Sequence, residues 1–199
     1  MARLNYEANR QKTKVPMPEL DPAERAQTFE EVALGYSEEE AVLEARRCIQ
    51  CPDTPCVGGC PVGVPIPRFV EQVAQGNFAR AYAIVKSANA LPAICGRVCP
   101  QESQCEGRCT RGKNGEPVGI GRLERFTSDW AFAHPEEAKG AMDELRAECA
   151  AGDELACSIW RGAEGARNVR GRAARGMRRY ESASTRSSSS SFVCTPHLS

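Results

Sequence analysis

The chain has 199 residues, 41% hydrophobic and 26% charged, which is ordinary usage for a folded protein and allows one or two domains. Its longest purely apolar run is about five residues, Ala81 to Val85, far short of a bilayer span, and the opening MARLNYEANRQK has no apolar export core. A membrane protein is therefore not expected and the expected location is the cytoplasm; 26 Lys and Arg balance 26 Asp and Glu, so no basic excess points to nucleic acid.

Residues 1–20 are polar, and Pro16 and Pro18 oppose regular helix, which predicts an extended N-terminal arm. The stretch DPAERAQTFEEVALGY places Pro22 in a first helical turn and Ala26, Phe29, Val32 and Ala33 at helical spacing. Ser37 with Glu40 three residues on is a capping box, opening a helix whose VLEAR runs directly into Cys48. Pro67 to Gln75 carries Phe69, Val70 and Val73 and ends at Gly76; an Asn77-capped stretch with Phe78, Ala81, Tyr82 and Val85 follows, so the two form a helical hairpin. After a polar turn, RGKNGEP, the residues Ile120, Leu123, Phe126 and Trp130 share one helical face. No strand is expected, and the fold class is mostly α. From about Ala138 the character changes: residues 161–186 hold eight arginines against Glu164 and Glu181, and Ser187 to Ser191 are uninterrupted serine. The expected organisation is an arm over 1–20, a helical domain over 21–137, and a low-complexity, disordered or truncated tail over 138–199.

The composition's anomaly is cysteine. Eight of eleven, Cys48, Cys51, Cys56, Cys60, Cys95, Cys99, Cys105 and Cys109, lie within 62 residues, and Cys149, Cys157 and Cys194 are strays. In a chain without an export signal such a cluster reads as metal ligands. The first group is C-x2-C-x4-C-x3-C-P and the second C-x3-C-P-x4-C-x3-C; short spacings of this kind wrap loops around iron-sulfur cubes, and eight cysteines match two cubes. Gly58, Gly59 and Gly96 allow close backbone approach. Residues 46–111 contain seven Arg and one Lys against four acids, and Arg46, Arg47, Arg97, Arg108 and Arg111 sit beside candidate ligands, where positive charge favours thiolate. Structural zinc is the competing account, but it favours clean doublets and often histidine, and His134 and His197 lie outside the cluster.

The runs VPMPELDPAERAQTFEEVALGYSEEEAVLEARRCIQC, PCVGGCPVGVPIPRF, NALPAICGRVCPQESQCEGRC and GEPVGIGRLERFTSDW resemble the N-terminal iron-sulfur domain of the small (beta) subunit of NADPH-dependent glutamate synthase. The same module occurs in the large subunit of NADH-dependent ferredoxin:NADP oxidoreductase and at the start of dihydropyrimidine dehydrogenase. The resemblance covers about residues 15–135. It implies a small alpha-helical ferredoxin domain holding two 4Fe-4S clusters, which relays electrons between an FAD/NADPH-binding module and a partner such as the glutamate synthase large subunit. It also implies one cluster on Cys48, Cys51, Cys56 and Cys109 and the other on Cys60, Cys99, Cys105 and Glu124, with Cys95 nearby but unbonded. A tandem reading of the motifs instead puts Cys95, Cys99, Cys105 and Cys109 on one cube; both stay open. The family's G-x-G-x-x-G turn for FAD is missing from these 199 residues, the nearest string being Gly119-Ile120-Gly121-Arg122-Leu123-Glu124. The expectation is an apparent N-terminal fragment that is not catalytic alone and takes FAD and NADPH only through a module absent from this chain; a free-standing carrier or a zinc-binding interaction module are the alternatives.

Overall fold

Capping and proline placement fix where the helices begin. The structure, a computed structural model, describes residue 4 and residues 6–160. Helix α1 (Pro22–Arg25), α3 (Pro55–Gly59), α4 (Ile66–Ala74), α6 (Pro92–Val98) and α8 (Pro135–Ala150) each carry proline in the first two positions, where a missing N–H costs nothing. Helix α2 (Glu38–Ala45) opens on the expected capping box: the Glu40 amide donates to the Ser37 hydroxyl and the Ser37 amide to the Glu40 carboxylate. The hairpin of α4 and α5 (Phe78–Ala88) turns at Gly76, whose φ of +81° is the left-handed region glycine favours. Asn77 stands at the cap position, but its amide donates to Gln72 and Gln75 instead of capping the helix.

Helix α7 (Ile120–Ala133) crosses this hairpin, with α6 laid along it and α8 returning over α5. The apolar stripes meet at Phe69, Val70, Val73, Ala81, Val85, Leu123 and Leu145, all fully buried; Phe126 stands edge-on to Phe78 at 5.0 Å. The mostly helical expectation holds, and among the described residues the one β contact outside helices is an isolated antiparallel bridge from Glu19 to Ala33. No helix of the described residues is long and apolar enough to cross a membrane.

Two readings change. The helix expected from Pro22 through Val32 and Ala33 stops after one turn at Arg25. The chain instead folds back on itself, the Leu20 amide donating to the Val32 carbonyl at 2.9 Å and the Leu34 amide to the Pro18 carbonyl at 2.8 Å. Phe29 is fully exposed and Val32 exposed, so a helix there had no surface to bury its apolar face against, and a short helix without such packing is marginal. The change of character expected at Ala138 falls inside α8: Ala138, Ala141 and Leu145 form a buried stripe, and residues 154–160 are helical too, with Ala156 and Ile159 buried. The Arg- and Ser-rich part of the expected tail, from 161 onward, lies outside the described residues, as does Cys194.

The described residues of the arm form no helix, and the arm is held by a buried ion pair. Glu44 and Arg47, at the end of α2, are both completely buried, with Arg47 Nη1 2.6 Å from Glu44 Oε1. Glu44 also accepts the Val15 amide at 2.7 Å and the Gly119 amide at 2.7 Å. Arg47 places all five of its N–H groups: the other four go to the carbonyls of Gln11, Lys12, Glu116 and Pro117. Removing one partner leaves an uncompensated buried charge, so Arg47→Met should lower the unfolding free energy by about 3–5 kcal/mol, and pairing it with Glu44→Leu should recover part of the loss. Urea denaturation followed by circular dichroism measures both; equal stability of the single variant and the unchanged chain would contradict the assignment.

Candidate metal centre

Four of the eight clustered thiols come from two short turns. Helix α3 separates Cys56, in its first turn, from Cys60 just past its end, and a 3-10 turn, Glu106–Arg108, separates Cys105 from Cys109. The two turns pack against each other. Gly59 makes the close approach possible, since a Cβ there would lie 2.6 Å from the Gln104 carbonyl oxygen. Cys56 comes to face Cys109, and Cys60 comes to face Cys105. Each turn thus sends one thiol to each of two sets, against the order of the chain.

The first set gathers Cys48, Cys51, Cys56 and Cys109. Burial pushes the Cys48 thiol up to about 12, and negative charge on Cys56, Cys109 and Cys51 adds to the rise against a backbone hydrogen bond that lowers it. Cys56 is pushed to about 11 by burial and by Cys109. The loop between these cysteines is wound tightly, with Gln50 at φ +48° and Thr54 at φ +41°, left-handed conformations that are uncommon and costly for residues other than glycine. The Gln50 side chain pins the loop by donating to the Pro67 carbonyl at 2.8 Å, the Tyr6 hydroxyl donates to the Cys48 carbonyl at 2.9 Å, and the Cys51 thiol donates to the Thr110 hydroxyl at 3.2 Å.

The second set gathers Cys60, Cys95, Cys99, Cys105 and Glu124. Cys99 rises to about 11 through burial first, then through Cys95, Glu124 and Cys60. Cys105 rises to about 12 through burial, Glu106, Cys60 and Glu124. Glu124, buried on α7, is pushed up to about 7 by burial, against the lowering effect of a hydrogen bond from Asn89, whose side-chain amide donates to Glu124 Oε1 at 2.6 Å. The Cys95 thiol donates to the side-chain amide oxygen Oδ1 of the same Asn89 at 3.6 Å, so one asparagine stands between the two rival fourth residues.

These donors suit an iron-sulfur group. All eight thiols are free, and within each set burial and neighbouring negative charge hold thiols protonated. Such a set releases its protons when a bound cation reverses that balance. Among the described residues, no three His, Cys, Asp or Glu side chains converge tightly enough to share a single ion.

The sequence of the family described as dihydropyrimidine dehydrogenase domain II, 4Fe-4S cluster, matches residues 25–136, more than half of the chain. The chain belongs to this family. It is similar to the glutamate synthase [NADPH] small chain of Halomonas elongata, 40% identical over 117 residues, covering 58% of this chain and 25% of that protein, and to that of Azospirillum brasilense, 38% identical over 118 residues, covering 58% and 24%. It is also similar to the NAD-dependent dihydropyrimidine dehydrogenase subunit PreT of Escherichia coli K12, 38% identical over 102 residues, covering 51% and 25%. The chain spans about a quarter of the length of these relatives. It is an iron-sulfur electron-transfer domain of the type found in glutamate-synthase- and dihydropyrimidine-dehydrogenase-like oxidoreductases.

Within this family domain several sequence-level readings are refined. Gly58 has open space around it and makes no close contact, whereas Gly59 and Gly96 do. Of the arginines beside the cysteines, Arg47 is spent on Glu44, Arg97 on Glu31 and Asp129, Arg46 on the Ala74 carbonyl and Arg111 on the Gln11 carbonyl; Arg108 remains exposed. Cys149 and Cys157, left as strays by the sequence, pair as a disulfide apart from the eight. Asn89, Gln50, Thr110 and Tyr6 were missed, because isolated polar residues carry no spacing signature.

Gly96 joins the second set's two carriers. A Cβ at Gly96 on α6 would sit 2.6 Å from the Arg125 amide nitrogen and 2.8 Å from its Cα on α7, next to Glu124. Gly96→Ala should therefore cost about 1–3 kcal/mol through overpacking, while Gly58→Ala, which meets nothing, should not destabilise in this way. Thermal melts of the two variants check the contrast.

Proposed function

We propose that this chain is the relay domain of an NADPH-dependent glutamate-synthase-like oxidoreductase of the cytoplasm. It holds two 4Fe-4S clusters and exchanges electrons with an FAD/NADPH-binding module outside these 199 residues and with a partner such as a glutamate synthase large subunit. The carrying observation is the division of the thiols into two sets that crosses chain order. It supports the first cluster on Cys48, Cys51, Cys56 and Cys109, and the second on Cys60, Cys99, Cys105 and Glu124. When bound, the clusters supply one-electron acceptor and donor sites whose potentials depend on ligand type, hydrogen bonds and burial.

The chain's residues do the positioning. The Glu44–Arg47 pair sets the end of α2, one residue before Cys48. Asn89 holds one oxygen of the Glu124 carboxylate in place. Glu124 and Cys105 are buried and Cys48 is half-buried, and burial is one of the levers that sets cluster potential. A second reading, with Cys95 as the fourth ligand of the second cluster, draws on one observation: Cys95 is the first neighbouring charge felt by Cys99.

Iron and acid-labile sulfide analysis after anaerobic purification should return about two 4Fe-4S equivalents per chain; stoichiometric zinc without iron would end the proposal. Two substitutions separate the ligand readings. Cys95→Ser should keep both clusters, since that thiol then packs only as a small apolar group, and Glu124→Ala should loosen the second cluster or shift its potential. Low-temperature EPR showing a lost cluster in Cys95→Ser and none disturbed in Glu124→Ala would favour the Cys95 reading.

A further inference from the structure

The two thiol sets differ in what surrounds them, and the difference bears on where a partner docks, given the relay reading above. Around the second set the arginines are neutralised internally: Arg97 and Arg125 both pair with Glu31 and with Asp129, at 2.8–3.2 Å. Around the first set they are not. A cleft of about 660 Å³ has Cys51 in its lining, with Ile49, Pro52, Arg10, Arg111 and Lys113 around it. Among the described residues, Arg10, Arg111 and Lys113 enter no ion pair. Asp53 is the single acid lining the cleft, and Arg47, at its base, is already matched by Glu44. Arg108, one residue from Cys109, is exposed and also without an ion pair among the described residues. Ile49 is 44% exposed, an apolar foothold ringed by cations.

We propose that this cleft is the docking surface for an acidic partner protein. Its carboxylates meet Arg10, Arg111 and Lys113, and an apolar contact seats on Ile49 and Pro52. An interface of this form has a small apolar centre and a charged rim, and the rim governs encounter and salt dependence. Docking here brings the partner to the side of the first thiol set at which Cys51 lines open space. The internally neutralised surroundings of the second set offer no such attraction.

The probe is flavodoxin, a strongly acidic carrier protein, titrated into the iron-loaded full chain by calorimetry. The expected result is binding that weakens steeply as ionic strength is raised from about 20 mM to about 500 mM, and that weakens about tenfold or more at low salt in the Arg10→Glu/Lys113→Glu double variant. Iron content and EPR spectrum should be unchanged in that variant. Lys86→Glu and Lys139→Glu, away from the cleft, should bind as the unchanged chain does. Three results would overturn the proposal: no flavodoxin binding, equal affinity in the double variant and the unchanged chain, or preference for a duplex oligonucleotide over flavodoxin. Loss of clusters in the double variant with affinity unaltered would also overturn it, by assigning these cations to charge balance around the cluster. Absence of iron from the unchanged chain would count against the relay reading, while the charge-reversal comparison would still decide the docking surface.

Discussion

The buried pair of Glu44 and Arg47 is the constraint on which the site depends. Two charges withdrawn completely from water are costly unless every donor and acceptor is matched, and here the matching groups are backbone amides and carbonyls from three separate stretches: 11–15, 116–117 and 119. The pair therefore ties the N-terminal arm and the entry to α7 to the last turn of α2. Cys48 follows Arg47 directly, Cys109 lies just before the stretch Arg47 grips, and Glu124 lies one turn into the helix that follows. Glu106 adds a second tie from the cysteine turn itself, pairing with Lys14 of the arm and accepting the Gly121 amide at 3.2 Å.

Held in that frame, two turns of only three to five residues can serve two sets at once. A turn has two ends, and here the thiols at its two ends lie beside different neighbours, Cys56 near Cys109 and Cys60 near Cys105. Packing a second such turn beside the first, in contact at Gly59 and Gln104, doubles the number of ligands without lengthening the chain. This couples the sets mechanically, since displacing either turn moves one thiol in each. In the proposed assignment, ligands would be exchanged between the two sets in the manner of two-cluster proteins.

The local physics was legible in the sequence wherever one signal acted alone. The capping box at Ser37, the hairpin turn at Gly76 and the apolar face of α7 all follow from the sequence, because cap chemistry and helical periodicity are local properties. The helix from Pro22 was overextended because its periodicity was real but the surface that would bury Phe29 was not there, and a sequence does not state what lies opposite. The continuation of α8 past Ala138 was hidden by the Arg- and Ser-rich composition that begins only at Arg161. The cysteine spacings point to metal and to two groups, but not to which thiol joins which group, because in the proposed assignment that depends on turn packing at a sequence separation of about fifty. Arg47 looked like one more basic neighbour of a thiol, and only its carbonyl partners, far apart in sequence, show its role.

The crossing of ligands between the two sets is the central claim, and cysteine-by-cysteine sorting of EPR spectra addresses it directly. In iron-loaded chain, Cys48→Ser and Cys109→Ser should each perturb the same cluster and leave one common residual spectrum, although the two cysteines stand at opposite ends of the cluster-bearing sequence. Cys60→Ser should leave the other spectrum, although it lies only four residues from Cys56. A Cys60→Ser spectrum that matches Cys48→Ser, with Cys109→Ser leaving the other residual spectrum, would contradict the account in favour of the tandem arrangement.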